Sequence, residues 1–169
     1  MANYHFRESG LDYVWLENGV THWDTPYGPA TSIKAVDDLL TKLALYVSRK
    51  PWRLTGQEFR YLRSELGMPP EDAAQAHGIS EHRLRLWERG RREIPKPHDM
   101  LQRLLHLKEV AGHISLRTSF DLVSVDLPAI QQRLFASIDE TGWNLRIVGN
   151  DEVEALERAG GEAAVETWP

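Results

Sequence analysis

Hydrophobic and polar positions change period along this 169-residue chain, and each change marks a predicted element. Over residues 4–33 apolar and polar side chains roughly alternate, as in strands with one covered face. Tyr13-Val14-Trp15-Leu16-Glu17 and Val20-Thr21-His22-Trp23-Asp24 flank Asn18-Gly19, the best short signal for a two-residue turn, so a hairpin is predicted there. An earlier strand over residues 4–8, turning at Ser9-Gly10, gives three strands with Tyr4, Phe6, Tyr13, Trp15 and Trp23 on an aromatic face. Pro26-Tyr27-Gly28-Pro29 is a second turn. After Ser32 the period becomes helical, with Val36, Leu39, Leu40, Leu43 and Val47 as its stripe.

Ser48-Arg49-Lys50-Pro51-Trp52-Arg53 is a short basic link, where a domain boundary is placed. Beyond it the pattern predicts four helices. Thr55 with Glu58 three residues on is a capping box, and Phe59, Leu62 and Leu66 form the inward stripe before Gly67. Pro69-Pro70 opens a second helix with Ala73, Ala74 and Ala76 for close packing. Ser80 caps a third over about residues 80–89, stopped by Gly90. A fourth runs from near Pro97 to Val110 with Leu101, Leu104, Leu105 and Leu107 apolar. Further on, residues 114–125 alternate like a strand. Leu127, Ile130, Leu134 and Ile138 suit an amphipathic helix begun by Pro128, and residues 143–148 suit one last strand.

The predicted class is α+β. An N-terminal antiparallel hairpin or sheet plus helix spans 1–50, and an all-α bundle of four to five helices spans 51–111. A mixed extension at 112–150 is a candidate for dimerisation, and an acidic, flexible tail covers 151–169. With no cysteine in the chain, disulfides and thiolate zinc sites are excluded. No apolar run reaches membrane-spanning length and the N-terminus has no apolar leader core, so a cytoplasmic protein is expected.

Net charge is −5, which on its face disfavours a nucleic-acid partner. Its distribution reverses that. Residues 49–96 hold 11 Lys/Arg against 7 Asp/Glu, while both flanks are acidic, and DNA affinity follows local phosphate neutralisation. Within the basic segment, Leu84 and Trp87 share one face of the third helix. His82, Arg85, Leu86 and Arg89 fall on the opposite face. One apolar face and one face of donors is what a helix entering the DNA major groove requires.

Leu54-Thr55-Gly56-Gln57-Glu58-Phe59-Arg60-Tyr61-Leu62-Arg63, Leu66-Gly67-Met68, Ala73-Ala74, Gly78-Ile79-Ser80, Leu84, Trp87-Glu88-Arg89-Gly90 and Ile94-Pro95 together resemble the Cro/C1 repressor, or xenobiotic-response-element, type of helix-turn-helix. The resemblance covers about a third of the chain. It implies base contacts from Glu81, His82, Arg83, Arg85 and Leu86, phosphate contacts from Arg89, Arg91 and Arg92, and a backbone or minor-groove contact from Lys96. It also implies a helix-tying salt bridge between Glu88 and Arg63, with Trp87 in the core. Where relatives open the second helix with Ser or Thr followed by Gln, which clasp a phosphate, this chain has Pro69-Pro70. The whole order, with Gly10-Leu11-Asp12-Tyr13-Val14-Trp15-Leu16-Glu17-Asn18-Gly19 ahead of the helix-turn-helix, resembles MqsA-type antitoxin regulators without their zinc cysteines.

A charge run is most often a solvated surface, but here the arginines stand in register with Ser80, Trp87 and Gly90. Of the seven histidines, only His82 is given a role, as a donor to guanine. None has HExxH-like spacing, His98 and His106 are eight apart, and no metal or cofactor is expected. Asp12 and Asp24 near His22 make a chance acid–base grouping. No phosphate loop, nucleophile elbow or cysteine nucleophile supports an enzyme. The expectation is a transcriptional regulator, a repressor bound as a homodimer to a palindromic double-stranded operator. The competing expectation is an antitoxin that binds a toxin or other protein through its flanking domains and uses DNA for autoregulation. The dimer surface is expected on the helix carrying Leu127, Ile130, Leu134 and Ile138, or else on the aromatic hairpin around Trp15 and Trp23.

Overall fold

Asn18-Gly19 closes no hairpin. In the computed structural model, which describes residues 3–112, 127 and 132–149, strand β2 (Val14–Leu16) has both edges occupied by other partners. β1 (Tyr4–His5) lies antiparallel on one edge, Tyr4 opposite Leu16. On the other edge lies β5 (Gln132–Asp139), parallel, with Val14 opposite Leu134 and Leu16 opposite Ala136. β6 (Gly142–Gly149) pairs antiparallel with β5 and completes the order β1-β2-β5-β6. The Asn18 side chain replaces the backbone where the chain leaves this sheet: Nδ2 donates to Ile138 O at 3.1 Å, and Ile138 N donates to Oδ1 at 2.7 Å. Gly19 has φ +72, and a Cβ there would lie 2.8 Å from Ile138 and 2.9 Å from Trp143. The dipeptide therefore supplies the positive φ that the sequence signals, but for an exit rather than a turn.

The exiting chain forms its own two-stranded ribbon, β3 (Val20–Thr25) and β4 (Gly28–Ile33), around Pro26-Tyr27. Ser32 thus belongs to a strand, not to a helix start. Helix α1 (Val36–Arg49) follows, with Leu39, Leu43 and Val47 fully buried on the predicted stripe.

The chain divides into two units, residues 1–43 with 130–169 and residues 44–129. In the first, Val14, Leu16, Leu39, Leu43, Leu134, Ala136 and Trp143 are core. α1 holds the outer edge of β6: Trp143 N donates to Asp38 Oδ2 at 3.3 Å, and Lys42 Nζ donates to Trp143 O at 2.6 Å. This corrects the expected C-terminal extension at 112–150. Leu134 and Ile138, spaced as for a helix, lie on β5, where Gln132, Leu134 and Ala136 alternate inward. A spacing of four fits a strand face as well as a helix face, and pairing with β2 decides between them. Leu134 is wholly buried and cannot dimerise; Leu127 is half exposed and bridges to Trp52. Ile130, the strand expected over 114–125 and the tail at 151–169 lie outside the described residues.

The second unit holds α2 (Gly56–Glu65), α3 (Pro70–His77), α4 (Glu81–Glu88) and α5 (Lys96–Ala111). The Thr55–Glu58 capping box is formed on both sides. α5 departs from its predicted stripe. Leu107 is buried, but so are Asp99, Gln102, Arg103 and His106, while Leu101, Leu104 and Leu105 are only half-buried. The reason is the linker before α2, whose backbone needs partners. Asp99 Oδ2 accepts from Leu54 N at 2.6 Å, and Arg103 donates to Lys50 O and Trp52 O at 2.6 Å each. Lys50, itself fully buried, pairs with Glu58 at 3.0 Å and donates to Trp52 O and Arg53 O. Burial pulls its ammonium down to about 8, against the opposing pull of Glu58.

Candidate nucleic-acid interface

α4 is presented by local chemistry at both of its ends. Gly78, at φ +63, ends α3 in the left-handed conformation. Two residues later Ser80 Oγ accepts from Arg83 N at 3.2 Å and starts α4. At the far end Gly90, at φ +66, turns the chain, and Arg91 N and Arg92 N both donate to Leu86 O, at 2.8 and 3.3 Å. Buried Ile94 fixes the loop after them.

Beneath α4, Leu84 and Trp87 are buried. The Trp87 ring meets Phe59 edge-on at 5.9 Å between centroids and His98 at 4.9 Å. His77 Nε2 donates to Gln102 Oε1 across 2.9 Å. His77 Nδ1 therefore accepts from His98 Nδ1, 3.2 Å away. Burial lowers the pKa of both imidazoles, and the nearby Arg83 charge lowers that of His98 further.

Two further contacts tie α4 to α2. Arg63 Nε donates to Glu88 Oε1 at 2.6 Å and Nη2 to Oε2 at 3.3 Å, and Nη1 reaches Met68 O at 2.7 Å. Gly56 supplies the other: a Cβ on it would lie 2.2 Å from Trp87 O and 2.8 Å from Glu88 O, so the start of α2 meets the end of α4 backbone to backbone.

The opposite face of α4 is open. His82, Arg83, Arg85, Arg89, Arg91 and Arg92 are exposed, and Glu81, Leu86 and Lys96 are half-buried. Arg85 Nη2 is held by Glu81 Oε2 at 2.7 Å, so Glu81 orients a neighbouring arginine rather than standing alone. Among the described residues Arg83, Arg89, Arg91 and Arg92 carry no ion pair, while both acidic residues of α4 are spent, on Arg85 and Arg63. The result is a run of guanidinium donors along a rigidly seated helix and the loop after it.

Sequence reasoning missed the support of this face. His77, His98 and Gln102 form a polar chain under Trp87, and Gly56 allows the close approach. One signal was available: His77 follows Ala73 and Ala74 at the spacing of their buried stripe. Comparison with protein-family models, with curated proteins and with solved structures returns no match.

Proposed function

We propose that this chain is a sequence-specific DNA-binding regulator of transcription, a repressor acting as a homodimer on a palindromic operator, with α4 entering the major groove. The observation that carries the reading is the cationic surface of α4 and the loop after it, where Arg83, Arg89, Arg91 and Arg92 carry no ion pair among the described residues and every apolar side chain of α4 but Leu86 is turned inward. In this reading Arg85, His82 and Arg83 face base edges, and Arg89, Arg91 and Arg92 face phosphates, with Lys96 beyond them. Glu81 holds Arg85 extended until a guanine competes for it. A charge-rich helix standing on tryptophan, phenylalanine and two hydrogen-bonded histidines loses little freedom on docking, which favours discrimination between bases.

One helix of this length reads only a few base pairs, so two copies and two half-sites are needed for a useful site. The acidic flanks reduce attachment to arbitrary DNA and leave the burden on specific contacts. The reading places the protein with the chromosome, in the cytoplasm of a bacterial-type cell. No helix among the described residues is long and apolar enough to cross a membrane.

The test is selection of binding fragments from a random DNA pool by the purified chain, followed by sequencing. The expected product is an inverted repeat with half-sites about one helical turn apart. Recovery of unenriched sequence would contradict the reading.

A further inference from the structure

Among the described residues, the β3–β4 ribbon has one unpaired edge and one blocked edge. Bonded and non-bonded pairs alternate in an antiparallel ladder. Lys34 N donates to Gly19 O at 2.9 Å, so the bonded pairs continue at Thr21–Ser32, Trp23–Ala30 and Thr25–Gly28. Val20, His22 and Asp24 therefore turn their N–H and C=O groups away from β4. On the other strand Pro29 stands opposite Asp24, and its missing N–H falls on the outer edge of β4. Edge strands are commonly protected by lysine, proline or a bulge. β3 has no lysine, proline or bulge over its six residues and only Asp24 as a charge, whereas β1 is only two residues long and the β6 edge is held at Trp143 by Asp38 and Lys42.

The ribbon is also exposed on its surface. Trp23 is 50% exposed and Tyr27, at the turn, fully so. A two-stranded ribbon is marginal by itself in water, and added strands are what stabilise it.

We propose that β3 pairs with β3 of a second copy of this chain, antiparallel about a two-fold axis at Trp23, joining two ribbons into a four-stranded sheet. The pairing partner is argued from self-complementarity. Outward-facing residues must meet outward-facing residues in bonded pairs. With the axis at Trp23, His22 lies opposite Asp24 of the other copy, twice by symmetry, and the two Trp23 side chains meet in the closer, non-bonded pair. Centring the axis on His22 instead would oppose two imidazoles and leave Asp24 against Val20. A six-residue edge is small beside a standard interface, so the dimer is expected to be reversible and in the micromolar range. The inference does not depend on whether α4 binds DNA.

Sedimentation velocity on the full chain without DNA, over a rising concentration series, tests it. Wild type should pass reversibly from monomer to dimer. His22→Glu and Asp24→Lys should each weaken the dimer roughly tenfold, since each perturbs two symmetric pairs. The two together should restore it, because Glu then faces Lys. Trp23→Lys should abolish it, with circular dichroism reporting that the variant is folded. A wild type that stays monomeric, single variants that dimerise like wild type, or a double variant no better than the singles would each overturn the proposal. The first of these would leave the edge to a strand from a different protein.

Discussion

At the scale of single residues, the seat of α4 depends on groups that are costly to leave alone. The Arg63 and Glu88 side chains are about 10% exposed, so each charge relies on the other. Replacing Glu88 with Ala strands a guanidinium in the interior, and the expected cost is about 3–5 kcal/mol. Chemical denaturation should show it as a clear fall in midpoint with an unchanged slope. An unmoved midpoint combined with altered base preference would put Glu88 on the DNA face instead. The histidines beneath Trp87 give a second residue-level expectation. His77, His98 and His106 all have pKa values lowered from 6.5, mainly by burial. The unfolded chain therefore takes up protons first as pH falls, and the neutral-histidine contribution to stability, complete above about 6.5, is lost as pH drops through the lower folded-state values. Thermal melts of the wild type should decline below pH 6.5, and a His77→Gln, His98→Gln double variant should flatten that decline. An undiminished slope in the variant would assign the acid sensitivity to other groups.

At the scale of elements, local chemistry and long-range pairing divide what was legible in the sequence. α2, α3 and α4 follow from a capping box, a Pro-initiated helix and a Ser cap with glycine stops, all chemistry within a few residues of the element it shapes. The spacing of Leu84 and Trp87 likewise separates the buried face of α4 from its open face. The sheet followed in part: its strands β1, β2 and β6 lie where strands are expected, but the pairing of β2 with β5 is not announced. The parallel partner of β2, β5, lies more than a hundred residues away, so no turn signal announces it, and Asn18-Gly19 points to the wrong strand. α5 misled for a related reason: its buried face serves the linker backbone through Asp99 and Arg103, a demand invisible to hydrophobic periodicity. The pairing makes a direct prediction. A chain ending at residue 129 lacks β5 and β6, exposing Val14 and Leu16 on an open strand. It should lose sheet signal in circular dichroism and aggregate, while amide exchange in α2–α4 stays slow. An intact N-terminal sheet in that truncation would mean that β5 is dispensable to it.

At the scale of the whole molecule, the chain carries net negative charge yet gathers five of its 20 Lys/Arg (Arg83, Arg85, Arg89, Arg91 and Arg92) on one helix and the loop after it. In the proposed function these arginines divide into base-reading and phosphate-reading ones. Fluorescence anisotropy against the selected operator and an unrelated duplex, at several salt concentrations, measures that division for wild type, Arg85→Ala and Arg91→Ala. Arg85→Ala should cost about 1–3 kcal/mol on the operator and little on the unrelated duplex. Arg91→Ala should weaken both alike and lower the salt slope by about 1. Equal binding by all three proteins to both duplexes would overturn this division of roles.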